Sequence, residues 1–472
     1  MVTQISQPSE SKAKYEPTWE SLKSYSVPDW FKDAKFGIFI HWGVYAVPAF
    51  GSEWYPRNMY RKESPVFKHH LETWGPHSEF GYKDFIPMFK AEKWDPDAWV
   101  SLFKEAGAKY VVPVAEHHDG FAMYASDYTR WNAVNMGPHR DVIAELERIV
   151  RKQGLKFGVS THRAQNWRHF TYAPEFDTSD EAYAGLYSPA HPEDAPASEA
   201  FLEGWYARTK ELVDRFQPDI LWFDFGWHEE EFAPYRPRIT AYYYNKAIDW
   251  GREVVLQYKD KFPDGVAVYD IERGKLDDIR KEYWQTDTSV SSRSWGYLEE
   301  DEFKSVTSLV HDLADIVSKN GNLLLNVGPR PDGTIPQEAA DCLLGVGEWL
   351  KVNGEAIYGT RCWSIFGEGE TPVGTGHMSE RGAKPFTAED IRFTTKGDAL
   401  YAICLGWPGE QATIKSLGSN SAVPADMISQ INMLGSEGTL SWSQSEDGLT
   451  IKTPSEKPCQ HAYAFKIVLK GS

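Results

Sequence analysis

The sequence predicts an α/β protein: a TIM-type (β/α)8-like barrel, with room for an irregular strand, followed by an antiparallel β-sandwich. Apolar strand-like runs alternate with amphipathic helical segments, and no helix-free block precedes residue 354. Polar side chains recur where these runs end, which favours a barrel over an open sheet. Beyond about residue 355, short strand-like runs separated by Gly, Asp, Asn and Pro replace the alternation, which is typical of a sandwich.

The chain length fits this division into two domains. One barrel of about 250 to 400 residues leaves room within 472 residues for a single smaller domain. Residues 1–17 are polar, contain Pro and Ser, and are predicted to be mobile. We therefore expect a catalytic barrel over 18–354 and a sandwich over 355–472.

Seven segments are predicted as barrel strands, so an eighth is missing or degenerate. Each is an apolar run bounded by turn residues, as expected for a buried parallel strand. The strands are 35–41, 110–120, 157–163, 219–224, 254–258, 283–288 and 322–328. The predicted helices are 97–107, 141–154, 198–216, 238–251, 303–319 and 337–352.

The predicted sandwich contains seven strands and no obvious catalytic cluster. Its strands are 391–393, 399–405, 411–416, 428–434, 440–442, 449–452 and 461–469. Each is short and bounded by turn residues.

Composition narrows the class of partner. The net charge of −18 argues against nucleic acid or an anionic membrane. The four cysteines form no CxxC pattern, so neither a disulfide framework nor a zinc site is predicted. The 19 Trp indicate either a carbohydrate-facing surface or a large aromatic core.

The sequence also bears on localisation. No run reaches the ~18 apolar residues that a spanning helix needs, and the N-terminus lacks the apolar core of a signal peptide. We expect a cytoplasmic protein as written, or a secreted or periplasmic one if a signal peptide was removed. A homo-oligomer is compatible with the sequence.

Asp224 is the leading candidate catalytic residue. It ends a buried strand and is followed at once by Phe225, Gly226 and Trp227. Barrel enzymes keep their chemistry at this end of a strand, and the aromatics can stack on a sugar ring. The alternative is that Asp224 only caps the following loop.

Other polar residues follow the remaining strand ends. Glu53 lies beside Trp54 on the first loop, and His41, His117, His118 and His162 end three strands. Adjacent side chains on a regular strand point to opposite faces, so His117 and His118 reach one site only if the strand ends or bulges there. The alternatives are a solvated Glu53 and one histidine packed under a loop.

Two carboxylates flanking a glycosidic bond are the usual apparatus for hydrolysing it. Asp224 is the candidate for attack or water activation, and Glu272 is the candidate acid. Glu53 and Glu116 are rivals for the acid, and Asp287 is a weaker one. Spacing in the sequence does not measure the gap between them.

No metal or other cofactor is predicted. The histidines at the strand ends could converge on an ion, but no HxH or HExxH pattern occurs. The same side chains can bind sugar hydroxyls. A serine-centred triad lacks its GxSxG motif.

Five motifs in order carry a resemblance to a known family. They are FGIFIHWG at 36–43, SEWY at 52–55, EHHDGF at 116–121, PDILWFD at 218–224 and NGNLLLNVGP at 320–329. With these motifs the chain resembles the α-L-fucosidases of glycoside hydrolase family 29, from about residue 30 to 363.

The resemblance implies a retaining, metal-free exo-hydrolase that releases terminal α-L-fucose from fucosylated oligosaccharides or glycosides by double displacement. The nucleophile of the family falls on Asp224. It also implies that the strand before His117 and His118 is irregular. The fucose-contacting residues fall on His41, Glu53, Trp54, His117, His118 and Trp222.

The acid/base departs from a common pattern of the family. Many members carry Trp-Glu where this chain has Trp284-Gln285, and glutamine cannot donate and recover a proton. The loop residue Glu272 looks like the replacement. His162 stands where relatives often have Tyr, and Trp295 is expected to stack on the apolar face of fucose.

Two alternatives remain open. A related α-L-glycosidase such as an α-L-galactosidase acts on a sugar that differs only at C6. A fucose-binding protein without catalysis is the second alternative. Linkage preference is expected to lie in the loops 163–197 and 228–236.

Overall fold

Eight parallel strands close into a barrel in the computed structural model, which describes residues 14–470. Each strand pairs with the next along the chain, and the last pairs with the first. The strands are β1 (Phe36–Ile40), β2 (Tyr110–Glu116), β3 (Lys156–Thr161), β4 (Ile220–Phe223), β5 (Val255–Tyr258), β6 (Val268–Glu272), β7 (Trp284–Ser289) and β8 (Gly321–Val327). The predicted barrel is confirmed.

Strand β6 is the eighth strand that the sequence pattern did not reveal. The prediction of a loop around Glu272 is wrong, because this residue ends β6. Two features hide the strand. No α-helix separates β5, β6 and β7, and the inward residue Asp270 breaks the apolar run although it is fully buried.

Eleven α-helices lie within the described residues. Most pack outside the barrel, where their apolar faces meet the outer faces of the strands. They are α1 (Trp19–Leu22), α2 (Asp29–Ala34), α3 (Tyr55–Asn58), α4 (Pro65–Thr73), α5 (Pro96–Glu105), α6 (Val142–Lys152), α7 (Ala184–Tyr187), α8 (Glu199–Phe216), α9 (Tyr235–Asp249), α10 (Val306–Ser318) and α11 (Gln337–Asn353).

Large side chains fill the barrel interior, so the barrel has a packed core. Phe39, Tyr110, Trp222 and Leu324 belong to one buried cluster inside it. Gly37 makes room for this packing, since a Cβ there would lie 2.2 Å from the Tyr110 ring. The pocket is therefore confined to one end of the barrel.

The C-terminal part forms two antiparallel sheets, as the predicted sandwich requires. The first has the order β13-β16-β11-β10-β9 and the second β12-β15-β14. Strand β9, which the sequence analysis missed, is amphipathic and largely half-buried. The strands are β9 (Arg361–Glu368), β10 (Ile391–Lys396), β11 (Ala399–Cys404), β12 (Gln411–Ile414), β13 (Ile428–Met433), β14 (Trp442–Ser445), β15 (Gly448–Lys452) and β16 (Tyr463–Leu469).

The barrel and the sheets share a buried polar contact. Asp315 on α10 accepts from Arg392 on β10 at 2.6 Å and from Lys319 at 2.9 Å. All three side chains are almost fully buried. Removing any one of them would leave a buried charge without its partner, which is strongly destabilising. This contact joins the two parts of the chain.

Most of the predicted mobile segment, residues 1–13, lies outside the described residues. Tyr15 packs against the barrel. Its ring contacts that of Tyr244, and its backbone N–H donates to Asn245 Oδ1. Among residues 14–470, no helix combines the length and the apolar character that crossing a membrane requires.

Candidate active site

One pocket at the C-terminal end of the barrel strands contains both leading catalytic candidates and every sugar-contacting residue that the sequence analysis named. The pocket encloses about 280 Å³. It is lined by Asp224 and Glu272, and by His41, Glu53, Trp54, His117, His118, His162, Trp222 and Trp295. Phe225, Lys259 and Asp287 complete the lining.

Asp224 follows the last residue of β4 and receives three hydrogen bonds from side chains. Its Oδ1 accepts from Lys259 Nζ at 2.8 Å. Its Oδ2 faces His162 Nδ1 and His118 Nε2, each at 3.1 Å. The carboxylate is 6% exposed, so it is held in one orientation but still reaches the pocket.

Charge keeps this carboxylate ionised. Burial alone would raise the pKa of Asp224, but Lys259, His162 and His118 together lower it well below its usual value. Conversely, burial would lower the pKa of Lys259, but Asp224, Asp287 and Glu272 raise it well above its usual value. A negative carboxylate therefore faces the pocket at neutral pH.

Three histidines around Asp224 are neutral at pH 7. Burial, followed by the neighbouring histidine charges, lowers the pKa of His41 and His117 well below the usual value. Burial also lowers the pKa of His162 to about 4, although Asp224 opposes this shift. Neutral imidazoles can both donate to and accept from sugar hydroxyls.

His118 has different surroundings. Its Nδ1 lies 2.8 Å from the carbonyl oxygen of His162, and its Nε2 lies 3.1 Å from Asp224 Oδ2. A carbonyl oxygen and an ionised carboxylate only accept hydrogen bonds, so the ring lies between two acceptors. These contacts fix the orientation of the His118 ring beside Asp224.

Both His117 and His118 reach the pocket because β2 ends just before them. The strand stops at Glu116, and its pairing with β3 shifts register between Val114 and Glu116. Such a bulge releases the chain from strict alternation. The irregular strand that the family resemblance implied is therefore present.

Glu53 is held on the opposite wall of the pocket. Its Oε2 accepts from the Ser294 hydroxyl and from the Trp295 backbone N–H, both at 2.9 Å. These contacts also place the Trp295 ring, which lines the pocket beside His41. Carboxylate and aromatic ring together suit the polar and apolar faces of a sugar.

Glu272 and Asp287 are the two carboxyl groups nearest to Asp224 across Lys259. Lys259 Nζ lies 2.9 Å from Glu272 Oε2 and 3.7 Å from Asp287 Oδ2. The Glu272 side chain is 24% exposed, whereas that of Asp287 is 1% exposed. Glu272 is therefore the more accessible of these two carboxyl groups.

Asp287 instead pairs with Asp270 beneath the pocket. Burial, followed by the charge of Asp270, raises the pKa of Asp287 well above its usual value. Asp270 Oδ2 accepts from Trp222 Nε1 at 3.1 Å and also from Gln285. A protonated Asp287 that donates to Asp270 suits this arrangement, because two buried carboxylates cannot both be charged cheaply.

Glu116, a rival for the acid, lies outside the pocket. Its Oε1 accepts from Arg163 at 2.8 Å and from Arg208 at 2.7 Å, and it is 1% exposed. Its carboxyl group is therefore occupied as a hydrogen-bond acceptor for two guanidinium groups. The geometry assigns it a structural position beneath the pocket loops.

Lys259 was missed as a site residue, and Phe225 was named only among the aromatic residues that follow Asp224. Lys259 directly follows β5, so the rule that located the other residues at strand ends applied to it as well. Phe225 follows Asp224, and its ring stacks 5.9 Å from that of Trp54.

Two groups of potential metal ligands lie in the pocket. They are His41, His117 and His162, and His118, His162 and Asp224, with ligand atoms within 4.8 Å of one another. Four of these five side chains already contact another polar group, whereas His117 Nδ1 is buried without a hydrogen-bond partner among the described residues. His41 Nδ1 contacts Asn326 Oδ1 at 2.8 Å, and His118 and His162 contact Asp224.

Comparison with known proteins relates this chain to one family. A family model described as Alpha-L-fucosidase matches residues 2–355, and a model of the Alpha-L-fucosidase C-terminal domain matches residues 384–468. Tissue α-L-fucosidase of Bos taurus is 32% identical over 96% of this chain and 91% of its own. The enzyme of Homo sapiens is also 32% identical, over 96% and 92%.

Solved structures agree with this result. The crystal structure of Thermotoga maritima α-fucosidase in complex with fucose has a TM-score of 0.79 and 34% identity. The same protein in complex with a mechanism-based inhibitor also has a TM-score of 0.79, with 33% identity. Each comparison covers 96% of this chain and 100% of the other.

Proposed function

The chain belongs to the α-L-fucosidase family of glycoside hydrolases, and from this premise we propose that it hydrolyses terminal α-L-fucosyl linkages with retention of configuration. Asp224 is the nucleophile and Glu272 is the general acid/base. The substrate is a fucosylated oligosaccharide or glycoside. The Thermotoga maritima relative described with bound fucose supports this choice of sugar.

The observation that carries the proposal is the lysine shared by the two carboxylates. Lys259 Nζ lies 2.8 Å from Asp224 Oδ1 and 2.9 Å from Glu272 Oε2, so these oxygens are at most 5.7 Å apart, the sum of the two contacts. Retaining glycosidases have carboxyl groups about 5–5.5 Å apart, and inverting ones about 6.5–9.5 Å. The short gap supports double displacement.

In the first step, Asp224 attacks C1 of fucose and the bond from C1 to the leaving oxygen breaks. Glu272 gives its proton to that oxygen, which leaves a fucosyl ester on Asp224 and an ionised Glu272. Water then donates a proton to Glu272 and attacks C1, which releases fucose and restores both carboxyl groups.

Lys259 can serve both steps without moving far. Before the first step, the negative charge beside it is on Asp224. After the ester forms, that charge is on Glu272, which the same ammonium group contacts. The raised pKa of Lys259 keeps the lysine positive before attack, and the charge on Glu272 favours the same form after the ester has formed.

The proposal is tested by comparing kcat/KM for 4-nitrophenyl α-L-fucoside and α-L-galactoside with a chelator present and absent. We expect the fucoside to react faster, by about 10- to 100-fold, because a pocket shaped for a methyl group discriminates modestly against an added hydroxyl. Chelation should change neither rate.

Three results would contradict it. Equal or faster turnover of the galactoside would favour an α-L-galactosidase. Loss of activity on chelation would favour a metal-assisted reaction through the histidine groups. Fucose binding without any turnover would indicate a binding protein.

Replacement of Lys259 should change the pH profile as well as the rate. In Lys259→Met the burial that raises the pKa of Asp224 remains, whereas its largest lowering influence is lost. The acid limb of the kcat/KM profile should then move to higher pH, since less Asp224 is ionised at a given pH. We expect kcat/KM to fall by about 10²-fold.

The matched control is Lys259→Arg, which keeps the positive charge. It should leave the acid limb near its original position even if the rate falls. A Lys259→Met profile with an unmoved acid limb would show that this lysine does not set the charge of Asp224.

A further inference from the structure

The loop between β9 and β10 leaves its own sheet and reaches the barrel. Its two ends are tied together at Asp390, whose Oδ2 accepts from the Thr371 hydroxyl and the Thr387 N–H, both at 2.7 Å. Residues 371–387 therefore form a closed loop with a narrow neck, which we call the clamp loop.

The clamp loop occupies the edge of β6 where β5 no longer covers it. Strand β5 pairs with β6 only at Val268 and Tyr269, so the Glu272 backbone has no strand partner on this side. The loop supplies one. His377 Nδ1 accepts from the Glu272 N–H at 3.0 Å, and the Met378 N–H donates to the Glu272 carbonyl at 2.7 Å.

Contacts on the C-terminal side of Glu272 extend this pairing. The Gly376 N–H donates to the Lys275 carbonyl at 2.8 Å, and the Glu380 N–H donates to the Arg273 carbonyl at 3.0 Å. Gly274 permits this approach, since a Cβ there would lie 2.1 Å from the Gly376 carbonyl oxygen. The loop thus follows the chain on from β6.

Glu380 anchors the clamp loop to the barrel. It accepts from Arg273 at 3.0 Å, from the Thr288 hydroxyl at 2.7 Å and from Lys304 at 2.8 Å. Arg273 lies over the Trp295 ring, 4.7 Å from its centre. Glu380 therefore connects the clamp loop to Arg273, which contacts the pocket residue Trp295, and to Thr288 on β7.

We propose that the clamp loop is a working part of the active site and that His377 is a positioning residue for the acid/base Glu272. The inference rests on the proposed function, because it needs Glu272 to be that group. The Glu272 N–H can only donate, so His377 Nδ1 carries no proton. The Nε2–H then donates to the Tyr269 hydroxyl oxygen, 3.0 Å away.

The physical reason is geometric. Proton transfer depends on the acid lying within hydrogen-bond reach of the leaving oxygen. The Glu272 carboxyl is set by its backbone and by Lys259, and the backbone at this point is held from one side by β7 and from the other by the clamp loop. Losing His377 removes one of the two hydrogen bonds by which the clamp loop holds the Glu272 backbone.

The test compares His377→Ala with His377→Asn on a fucosyl disaccharide and on 4-nitrophenyl α-L-fucoside. An asparagine Oδ1 can accept the same N–H, whereas alanine cannot. For His377→Ala we expect kcat on the disaccharide to fall about 5- to 10-fold, as for one lost hydrogen bond, with KM unchanged.

The two substrates separate positioning from general damage. The aryl leaving group needs little protonation, so kcat/KM for this substrate, which reports the first step alone, should change less than about twofold. His377→Asn should recover most of the disaccharide rate. Lys384→Ala, an exposed change in the same loop, should leave both rates unchanged. Because His377 is itself exposed, alanine leaves no buried cavity.

Equal losses on both substrates, no loss, or no recovery by asparagine would overturn the inference. Glu272→Ala is measured alongside. If Glu272→Ala shows no selective loss on the disaccharide, the acid/base assignment fails and the inference falls with it. If Glu272→Ala shows that loss and His377→Ala does not, only the inference is overturned.

Discussion

Asp224→Ala is expected to lower kcat for 4-nitrophenyl α-L-fucoside by about 10⁴-fold, the scale seen when a covalent catalyst is removed. The pocket keeps its histidines and Lys259, so substrate binding should survive while attack on C1 is lost. The measurement is steady-state turnover together with fucose binding by calorimetry.

Azide distinguishes loss of the nucleophile from general damage. In Asp224→Ala a small anion fits the space left by the carboxylate, where three donors still converge. Azide then displaces the leaving group once, which gives the β-L-fucosyl azide. Near-normal turnover, or an α-linked azide product, would rule out Asp224 as the nucleophile.

Glu272→Ala is expected to lower kcat/KM for a fucosyl disaccharide by about 10²- to 10⁴-fold, the usual contribution of general acid/base catalysis. For the aryl fucoside, the rate of the first step should fall less than it does for the disaccharide. The second step then becomes slow, because no base remains to activate water.

Azide needs no base, so it should accelerate turnover of the aryl fucoside by Glu272→Ala. Here the nucleophile is intact, so two displacements give the α-L-fucosyl azide. Asp287→Asn is the comparison, since Asp287 is the other carboxyl group beside Lys259. Rescue of Asp287→Asn but not of Glu272→Ala would transfer the acid/base role to Asp287.

The local pattern of apolar and polar residues was sufficient to predict most of the barrel. Seven of its strands are apolar runs that end in polar residues, and the helices between them carry apolar faces of helical period. The exception, β6, lacks flanking helices and carries Asp270 inside the barrel. The buried carboxyl group of Asp270 is tolerated there because Trp222 and Gln285 donate hydrogen bonds to it across the barrel.

The same local rule located most of the candidate site. Residues that follow parallel strands meet at one end of a barrel, so His41, His162 and Asp224 converge although they are far apart in the sequence. Lys259 satisfied this rule too but was overlooked, since a lysine after a strand is also an ordinary surface residue.

The sequence by itself determined the fold class and most of the side chains that meet in the pocket, because strand periodicity and strand ends are local properties, and its five motifs indicated the family. Only the tertiary structure distinguishes the surroundings of the carboxyl groups. It exposes Glu272, buries Asp287 against Asp270, and places Lys259 between Asp224 and Glu272. It also brings the clamp loop, about a hundred residues away in the sequence, against Glu272. Such contacts depend on distances in space, which the spacing of residues along a chain does not contain.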